Sequence, residues 1–314
     1  MKKRLLSVLV MVLMLTFALS ACSSSLTLAT GGTSGTYYSF GGVLSQVLNE
    51  KLDDMNITVT STGASKANIQ LIQDGDADLA IIQNDVMYYA YTATDMFEGE
   101  EAITSFSAVA SCYPEVVQIV SSSEITSISD LAGKKVSVGD AGSGTEFNAK
   151  QILDAYGISF DDITVSNLSF ADSADALKDG KIDAAFVVAG TPTAAVTDLS
   201  TTYDLNLLAI DDEHAEALMS SYSFYTKINI PAGTYSSVKE DVQSVAVMAT
   251  IIASNDLDQD VVYEFTKALF DYQSDIAVGH DKGNELNLET AVSGISVPFH
   301  AGAQQYYEEV GALS

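Results

Sequence analysis

One short pattern occurs twice in this chain, and it constrains the fold more than any other feature. Ser34-Gly35-Thr36 closes a β-type run and opens a helical stretch, and Ser143-Gly144-Thr145 does the same 109 residues later. A second pair follows in step. Leu71-Ile-Gln-Asp-Gly75-Asp-Ala-Asp78-Leu-Ala80 is matched by Leu177-Lys-Asp-Gly180-Lys-Ile-Asp183-Ala-Ala185, with Asp78 and Asp183 separated by 105 residues. A period of that size is too long for a solenoid. It predicts two similar lobes, each built on one βαβ plan.

The local patterns agree with an α/β chain. In the first half, strands are expected at 26–30, 57–62 and 77–82, with helices over 36–52 and 65–73. In the second half, strands are expected at 135–138, 163–168 and 182–188, with helices over 146–156 and 175–178. From about Tyr225 onward no third copy appears; an apolar run at 242–253 and a helix over 257–276 complete the first lobe. The chain must then cross between lobes twice, near 112–120 and near 221–228. This gives lobe 1 as 26–115 with 225–314, and lobe 2 as 116–224.

The amino-terminal end reads as a targeting segment. Lys2, Lys3 and Arg4 precede an apolar run from Leu5 to Leu19 that is short for a membrane span. The run ends in Leu19-Ser20-Ala21-Cys22, which resembles the bacterial lipobox. That resemblance implies a signal peptide over 1–21, lipidation of Cys22, and a short tether over 22–25, so the chain is expected on the outer face of the cytoplasmic membrane. With Cys22 assigned to lipid, Cys112 has no disulfide partner. The core must then stabilise the fold.

Charge excludes several functions. The net charge is −28, and −31 without the three basic residues of the leader. Such a surface disfavours nucleic acid and anionic lipid. Arg4 is the only arginine, so a carboxylate or phosphate must be held without the bidentate guanidinium fork.

The two Ser-Gly-Thr turns offer another way to hold an anion. Each sits between the carboxyl end of a strand and the amino end of a helix, where ligands settle in open α/β sheets. Glycine permits close backbone approach, unpaired first-turn amides point outward, and Ser34, Thr36, Ser143 and Thr145 add hydroxyl donors. Simple helix capping by the same side chains is the plainer account of either turn alone.

At this point the residues resemble a known family. Thr30-Gly-Gly-Thr-Ser-Gly-Thr-Tyr-Tyr38 with Gly41-Gly42, Ile82-Gln-Asn-Asp85 and Tyr113-Pro-Glu-Val-Val-Gln118 are similar to motifs of the TAXI family of TRAP-transporter solute receptors. So are Leu131-Ala-Gly-Lys-Lys-Val-Ser-Val-Gly139, Gly142-Ser-Gly-Thr-Glu-Phe-Asn148, Val188-Ala-Gly-Thr-Pro192 and Ile230-Pro-Ala-Gly-Thr-Tyr235, in the expected order along the chain. The resemblance implies a type II periplasmic-binding-protein fold and capture of a small anionic or zwitterionic solute, glutamate-like or another small carboxylate. It also implies delivery of that solute to a TRAP-type membrane permease.

Candidate contacts follow by position. Thr33, Ser34, Gly35 and Thr36 would meet one carboxylate, and Ser143, Gly144 and Thr145 another polar end. Tyr37 and Tyr38 fit either ligand contact or core packing. Gln83, Asn84 and Asp85 follow a strand and are expected at the cleft, with Asp85 a candidate acceptor for an ammonium or a helix cap. Glu146 is in the same position, although Lys150 four residues on could pair with it. Ala189 and Gly190 would shape the far wall. Expected partners are the solute, the permease and the membrane through the lipid anchor, with the receptor a monomer; no cofactor, metal or catalytic residue is expected.

Three other readings are open. An enzyme could use Cys112, but His214, His280 and His300 lie far from the repeated turns in sequence. Fifteen tyrosines could furnish a surface for protein partners. An ATP-driven importer would need the same clamp.

Overall fold

A computed structural model describes residues 24–313. The signal segment, Cys22 and Ser23 lie outside the described residues.

The chain lays down one continuous ten-stranded mixed sheet. Its first strands are β1 (Ser24–Ala29), β2 (Met55–Thr60), β3 (Leu79–Gln83) and β4 (Phe106–Ser122). There follow β5 (Lys135–Ser137), β6 (Thr164–Ser166), β7 (Ala184–Ala189), β8 (Leu205–Leu207), β9 (Thr226–Ile230) and β10 (Val242–Ser254). The order is β2-β1-β3-β10-β4-β7-β5-β6, with β8 on β4 and β9 on β10. Strand β1 lies parallel between β2 and β3, and β5 lies parallel between β6 and β7. Each triplet is bordered by a long antiparallel strand, β10 on β3 and β4 on β7. The repeat read in the sequence is therefore a repeat in space.

Helices cover both faces of each half. In lobe 1 these are α1 (Thr36–Lys51), α2 (Ser65–Asp74) and α3 (Asn84–Thr92). Lobe 2 carries α4 (Gly144–Ala155), α5 (Phe170–Lys178), α6 (Ala194–Thr202) and α7 (Asp212–Ser221). The carboxyl-terminal segment adds α8 (Gln259–Asp271), α9 (Gln273–Gly279), α10 (Leu288–Ala291) and α11 (Ala301–Glu309). Strand alternation divides the core. Leu79 and Ile81 enter the cluster beneath α1, whereas Ala80 and Ile82 enter the one beneath α2 and α3. In α1, Tyr37, Phe40, Leu44 and Leu48 recur at helical spacing on the buried face. Burying each of the last three stabilises the lobe by about 1.5–3 kcal/mol. Gly41 lets this helix settle onto β1, because a Cβ there would lie 2.8 Å from Thr30 Cγ2.

The repeated Gly-x-x-Asp segments close the helix-to-strand turns. Gly75 and Gly180 adopt left-handed φ values of 77° and 66° at the ends of α2 and α5. Asp78 Oδ2 then accepts the Thr27 amide at 2.7 Å, and Asp183 Oδ2 accepts the Lys135 amide at 2.8 Å. Each aspartate clips the start of its parallel strand pair.

Several expectations change. Strand β1 starts at Ser24, so Ser24 and Ser25, expected in the tether, pair with Met55 and Asn56. The first part of β4 pairs with Ile251–Ser254, and its Val116–Ser121 segment pairs with β7. The second crossing does not fall at 221–228. Strand β9 pairs with Val242–Ala246, and β10 reaches β3 only from Ala249 to Ala253. The chain thus returns to lobe 1 within β10, and lobe 2 extends past 224. A 13-residue strand spans about 43 Å, long enough to serve both lobes without a connecting loop. The helix expected over 257–276 is two helices, broken at Tyr272 with φ −109° and ψ 18°.

Candidate functional site

The carboxyl ends of the parallel strands in both lobes face a common cavity of about 40 Å³. Lobe 1 supplies the β1–α1 turn (Gly31, Gly32, Gly35, Thr36, Tyr37), the start of α2 (Ala64, Ser65), Gln83 at the end of β3, and Glu115 on β4. Lobe 2 supplies the β5–α4 turn (Asp140, Ser143, Gly144, Thr145), Phe170 at the start of α5, and Val188 and Ala189 at the end of β7. The strand-to-helix turns, helix starts and strand ends of one lobe have counterparts in the other, and Glu115 on β4 has none.

The two turns are held differently. Helix α1 begins at Gly35, in extended conformation with no side-chain cap, so its first-turn amides are available to a ligand. Helix α4 is capped: Ser143 Oγ accepts the Glu146 amide at 3.1 Å. Glu146 is itself spent on the loop, accepting Gly142 N at 2.7 Å and Asn167 Nδ2 at 2.8 Å.

Of the expected contacts, Gly35, Thr36, Tyr37, Gln83, Ser143, Gly144, Thr145 and Ala189 line the cavity. The others do not. Thr33 is exposed, and Tyr38 points to solvent at the surface of α1. The Ser34 carbonyl accepts the Ala195 amide at 3.4 Å, so it faces the start of α6. Ser34 and Ser143 are therefore not a matched pair; the facing groups are Gly35–Thr36–Tyr37 and Ser143–Gly144–Thr145. Asn84 Oδ1 accepts the Met248 amide at 3.0 Å. The Gly190 carbonyl accepts Thr36 Oγ1 at 3.1 Å and Thr193 Oγ1 at 2.8 Å.

Asp85 sits behind the cavity in a network joining the lobes. Asn148 Nδ2 donates to Asp85 Oδ2 at 2.9 Å and to the Tyr225 hydroxyl at 2.8 Å. Asn148 Oδ1 accepts Gln83 Nε2 at 3.0 Å. Tyr225 donates to Gln151 Oε1 at 2.7 Å, and Gln151 Nε2 reaches the Tyr89 hydroxyl at 3.2 Å. Burial pushes the Asp85 carboxyl up to about 6, against the opposing pull of Asn148 and the Val86 amide.

The sequence reading missed Glu115, Asp140, Ser65 and Phe170. Glu115 is the most consequential, being 2 % exposed in the middle of the strand that crosses between lobes. Burial drives its carboxyl well above the usual carboxylate range, although the Lys282 charge, the Gly190 amide and the Tyr37 hydroxyl oppose this. Glu115 Oε1, Gln83 Oε1 and the Tyr37 hydroxyl are buried with no hydrogen bond of normal geometry. Burial and the neighbouring Asp172 raise the Asp140 carboxyl as well. No lysine among the described residues lines the cavity. A glutamate inside the apolar run around Tyr113–Val120 was the available signal, because charges there are rarely buried without a task.

Nothing among the described residues forms a metal-ligand cluster. Cys112, the thiol weighed as a nucleophile, is buried in the lobe 1 core, where burial pushes it up to about 12. It is not poised as a thiolate.

Residues 28–311 match the sequence family described as NMT1-like. Among solved structures, PhnD1 from Prochlorococcus marinus (MIT 9301), in complex with methylphosphonate, superposes with a TM-score of 0.57 at 12% identity, covering 92% of this chain and 99% of that one. The alkanesulfonate-binding protein SsuA from Xanthomonas axonopodis pv. citri, bound to MOPS, gives 0.50 at 16% identity, over 90% and 83% of the two chains. The GluR0 ligand-binding core from Nostoc punctiforme, in complex with (L)-glutamate, gives 0.50 at 16% identity, over 83% and 100%. The fold is the two-lobed α/β architecture of type II periplasmic binding proteins.

Proposed function

The chain belongs to the NMT1-like family, and from that membership we propose that it is an extracytoplasmic receptor that captures a small carboxylate-bearing solute between its lobes and hands it to a membrane permease. The observation that carries this reading is the cavity itself. Equivalent strand-to-helix turns of two lobes close on one space, and buried polar atoms there have no hydrogen-bond partner among the described residues. An unsatisfied buried polar group costs about 1–3 kcal/mol, which a bound solute would recover. Gly35, Thr36, Tyr37, Gln83, Ser143, Gly144, Thr145 and Ala189 are the proposed contacts, with Glu115 added.

The motifs quoted above favour a TRAP-type permease as the recipient. A second reading, an ATP-driven importer, is favoured by a fold neighbour described as a putative L-cystine ABC transporter from Listeria monocytogenes, with a TM-score of 0.51 and 16% identity. No described helix is long and apolar enough to cross a membrane. Lipidation of Cys22 belongs to the same proposal. With β1 starting at Ser24, the anchor would hold the β1–β2 side of lobe 1 close to the bilayer.

Thermal-shift screening of amino acids and small carboxylates tests the receptor reading. A dose-dependent rise in melting temperature with particular compounds is expected, following the linkage of ligand binding to stability. A flat response across both classes would remove it.

A further inference from the structure

We propose that Asp85 makes closure of the lobes proton-dependent: the two halves come together as its carboxyl takes up a proton, so the receptor closes more readily in acid than at neutral pH. This inference rests on the receptor reading above and adds a control of the same site that holds whichever solute is bound.

Asp85 stands where the lobes meet. It belongs to lobe 1, at the start of α3, and is 1 % exposed with Asn148 and Tyr225 of lobe 2 brought against it. Among the described acidic side chains only Asp85 and Glu115 are buried. Asp85 Oδ1 accepts the Val86 amide at 2.8 Å and Oδ2 accepts Asn148 Nδ2 at 2.9 Å, and no basic side chain among the described residues bonds to either oxygen. The titratable groups around it are Tyr89 and Asp95 further along its own segment, Tyr37 on α1, Glu115 on β4 and Tyr225 at the entry to β9. Asp95 and Glu115 oppose a charge on Asp85, and burial keeps the three tyrosines neutral. On α4, Glu146 is bonded to the Gly142 amide and Lys150 to Asp154; on α2, Lys66 is bonded to Glu100. Strands β3 and β10 carry no titratable side chain.

With the lobes apart, water replaces Asn148 and solvates the carboxylate. Closing them strips that water away without supplying a cation, so the charged form resists closure and the neutral form does not. The network can serve both forms. With Asp85 ionised, Asn148 Nδ2 donates to it and Asn148 Oδ1 accepts Gln83 Nε2 at 3.0 Å. With Asp85 protonated, a half-turn of the Asn148 amide puts its oxygen against the new hydroxyl and its nitrogen toward Gln83, whose own amide turns to accept. The bonds across the junction survive while the buried charge is gone. In the closed form the Asp85 carboxyl is raised to about 6, above the ordinary carboxylate value. The proton's contribution to closure is therefore fully present below about pH 4 and is lost as pH rises through 6. With the open form at the ordinary value, the closed-to-open ratio falls about tenfold from pH 5 to pH 7.

Small-angle scattering of the unliganded protein at pH 5 and pH 7 tests this, in about 0.5 M salt so that surface charge is screened. The wild type should have the smaller radius of gyration at pH 5, as the closed population grows by about tenfold relative to the open one. Asp85→Asn carries no charge at either pH and should keep the compact value at both. Asp85→Ser supplies the same neutral comparison where the asparagine variant does not fold. A wild-type radius that fails to shrink on acidification overturns the switch, and that measurement needs no variant. A pH response that persists in a folded neutral variant overturns it too. The receptor reading is decided separately by the thermal-shift screen, so a flat pH response beside solute-dependent stabilisation removes the switch and leaves the receptor standing.

Discussion

At the residue scale, the cavity depends on positions where nothing larger fits. A Cβ on Gly144 would lie 1.6 Å from Gln83 Oε1 and 3.1 Å from Val86 Cγ2, across the junction of the lobes. Gly144→Ala should therefore hinder closure without disturbing either lobe. We expect the melting temperature of the unliganded protein to move little and solute affinity to fall about tenfold or more, because fewer molecules reach the closed form. Unchanged affinity would show that closure tolerates the methyl group. Asp85 has a different signature. Its folded value near 6 exceeds the ordinary carboxylate value. Its contribution to stability is therefore fully present below about pH 4 and is lost as pH rises through 6, by about 3 kcal/mol at most. Denaturant melts of wild type and Asp85→Asn should show the wild type losing stability relative to the variant between pH 4.5 and 7. Parallel pH profiles would contradict this. The site was legible where its signal is local: Gly35, Thr36 and the 143–145 turn announce themselves by turn chemistry. Glu115 was not, because its burial depends on both lobes closing over a strand shared between them.

At the element scale, the repeated aspartates show what a sequence echo can mean. The matched segments around Asp78 and Asp183 do not touch the cavity; they pin β1 against β3 and β5 against β7 through amides 2.7 and 2.8 Å away. Each Asp→Ala change should cost about 1–3 kcal/mol, the worth of a hydrogen bond to a charged acceptor. Because the clips sit in different lobes and share no partner, the double variant should lose the sum to within about 0.5 kcal/mol. A clear excess over the sum in chemical denaturation would mean that the lobes do not fold as separable units around their clips. The strand and helix order of both copies was readable for the same reason, since each element carries its own period and turn residues. What was not readable is the crossing in β10. Val242–Ser254 is apolar from Val245 to Ala253 apart from Thr250, and nothing in it marks where pairing passes from β9 to β3. Likewise the break at Tyr272 follows no glycine or proline, and its amide still bonds back to Ala268 at 3.1 Å.

For the whole molecule, the shared strands define how the lobes could move. Strands β4 and β10 run through both lobes side by side, and their pairing slips between Ala249 and Thr250 and again between Ile251 and Ile252. Such irregularities bend a strand locally and place the flexing zone at the lobe 1 side of the junction. On the open side of that hinge, closure is held by a handful of hydrogen bonds: Gln83 and Asp85 on Asn148, Gln151 on the Tyr89 hydroxyl, Thr36 on the Gly190 carbonyl and Ala195 on the Ser34 carbonyl. Each net hydrogen bond is worth about 0.5–1.5 kcal/mol, so without solute the closed form would be only marginally favoured or disfavoured. Asn148→Ala removes two of these five links at once and leaves Asp85 and Gln83 to water in the open form. Small-angle scattering of the unliganded variant should give a larger radius of gyration than the wild type, and saturating solute should compact both toward a common value. The variant's apparent affinity should fall about tenfold, in proportion to the closed population it has lost. Identical scattering with and without solute, in both proteins, would mean that the lobes are fixed as one body and that the solute enters by another route.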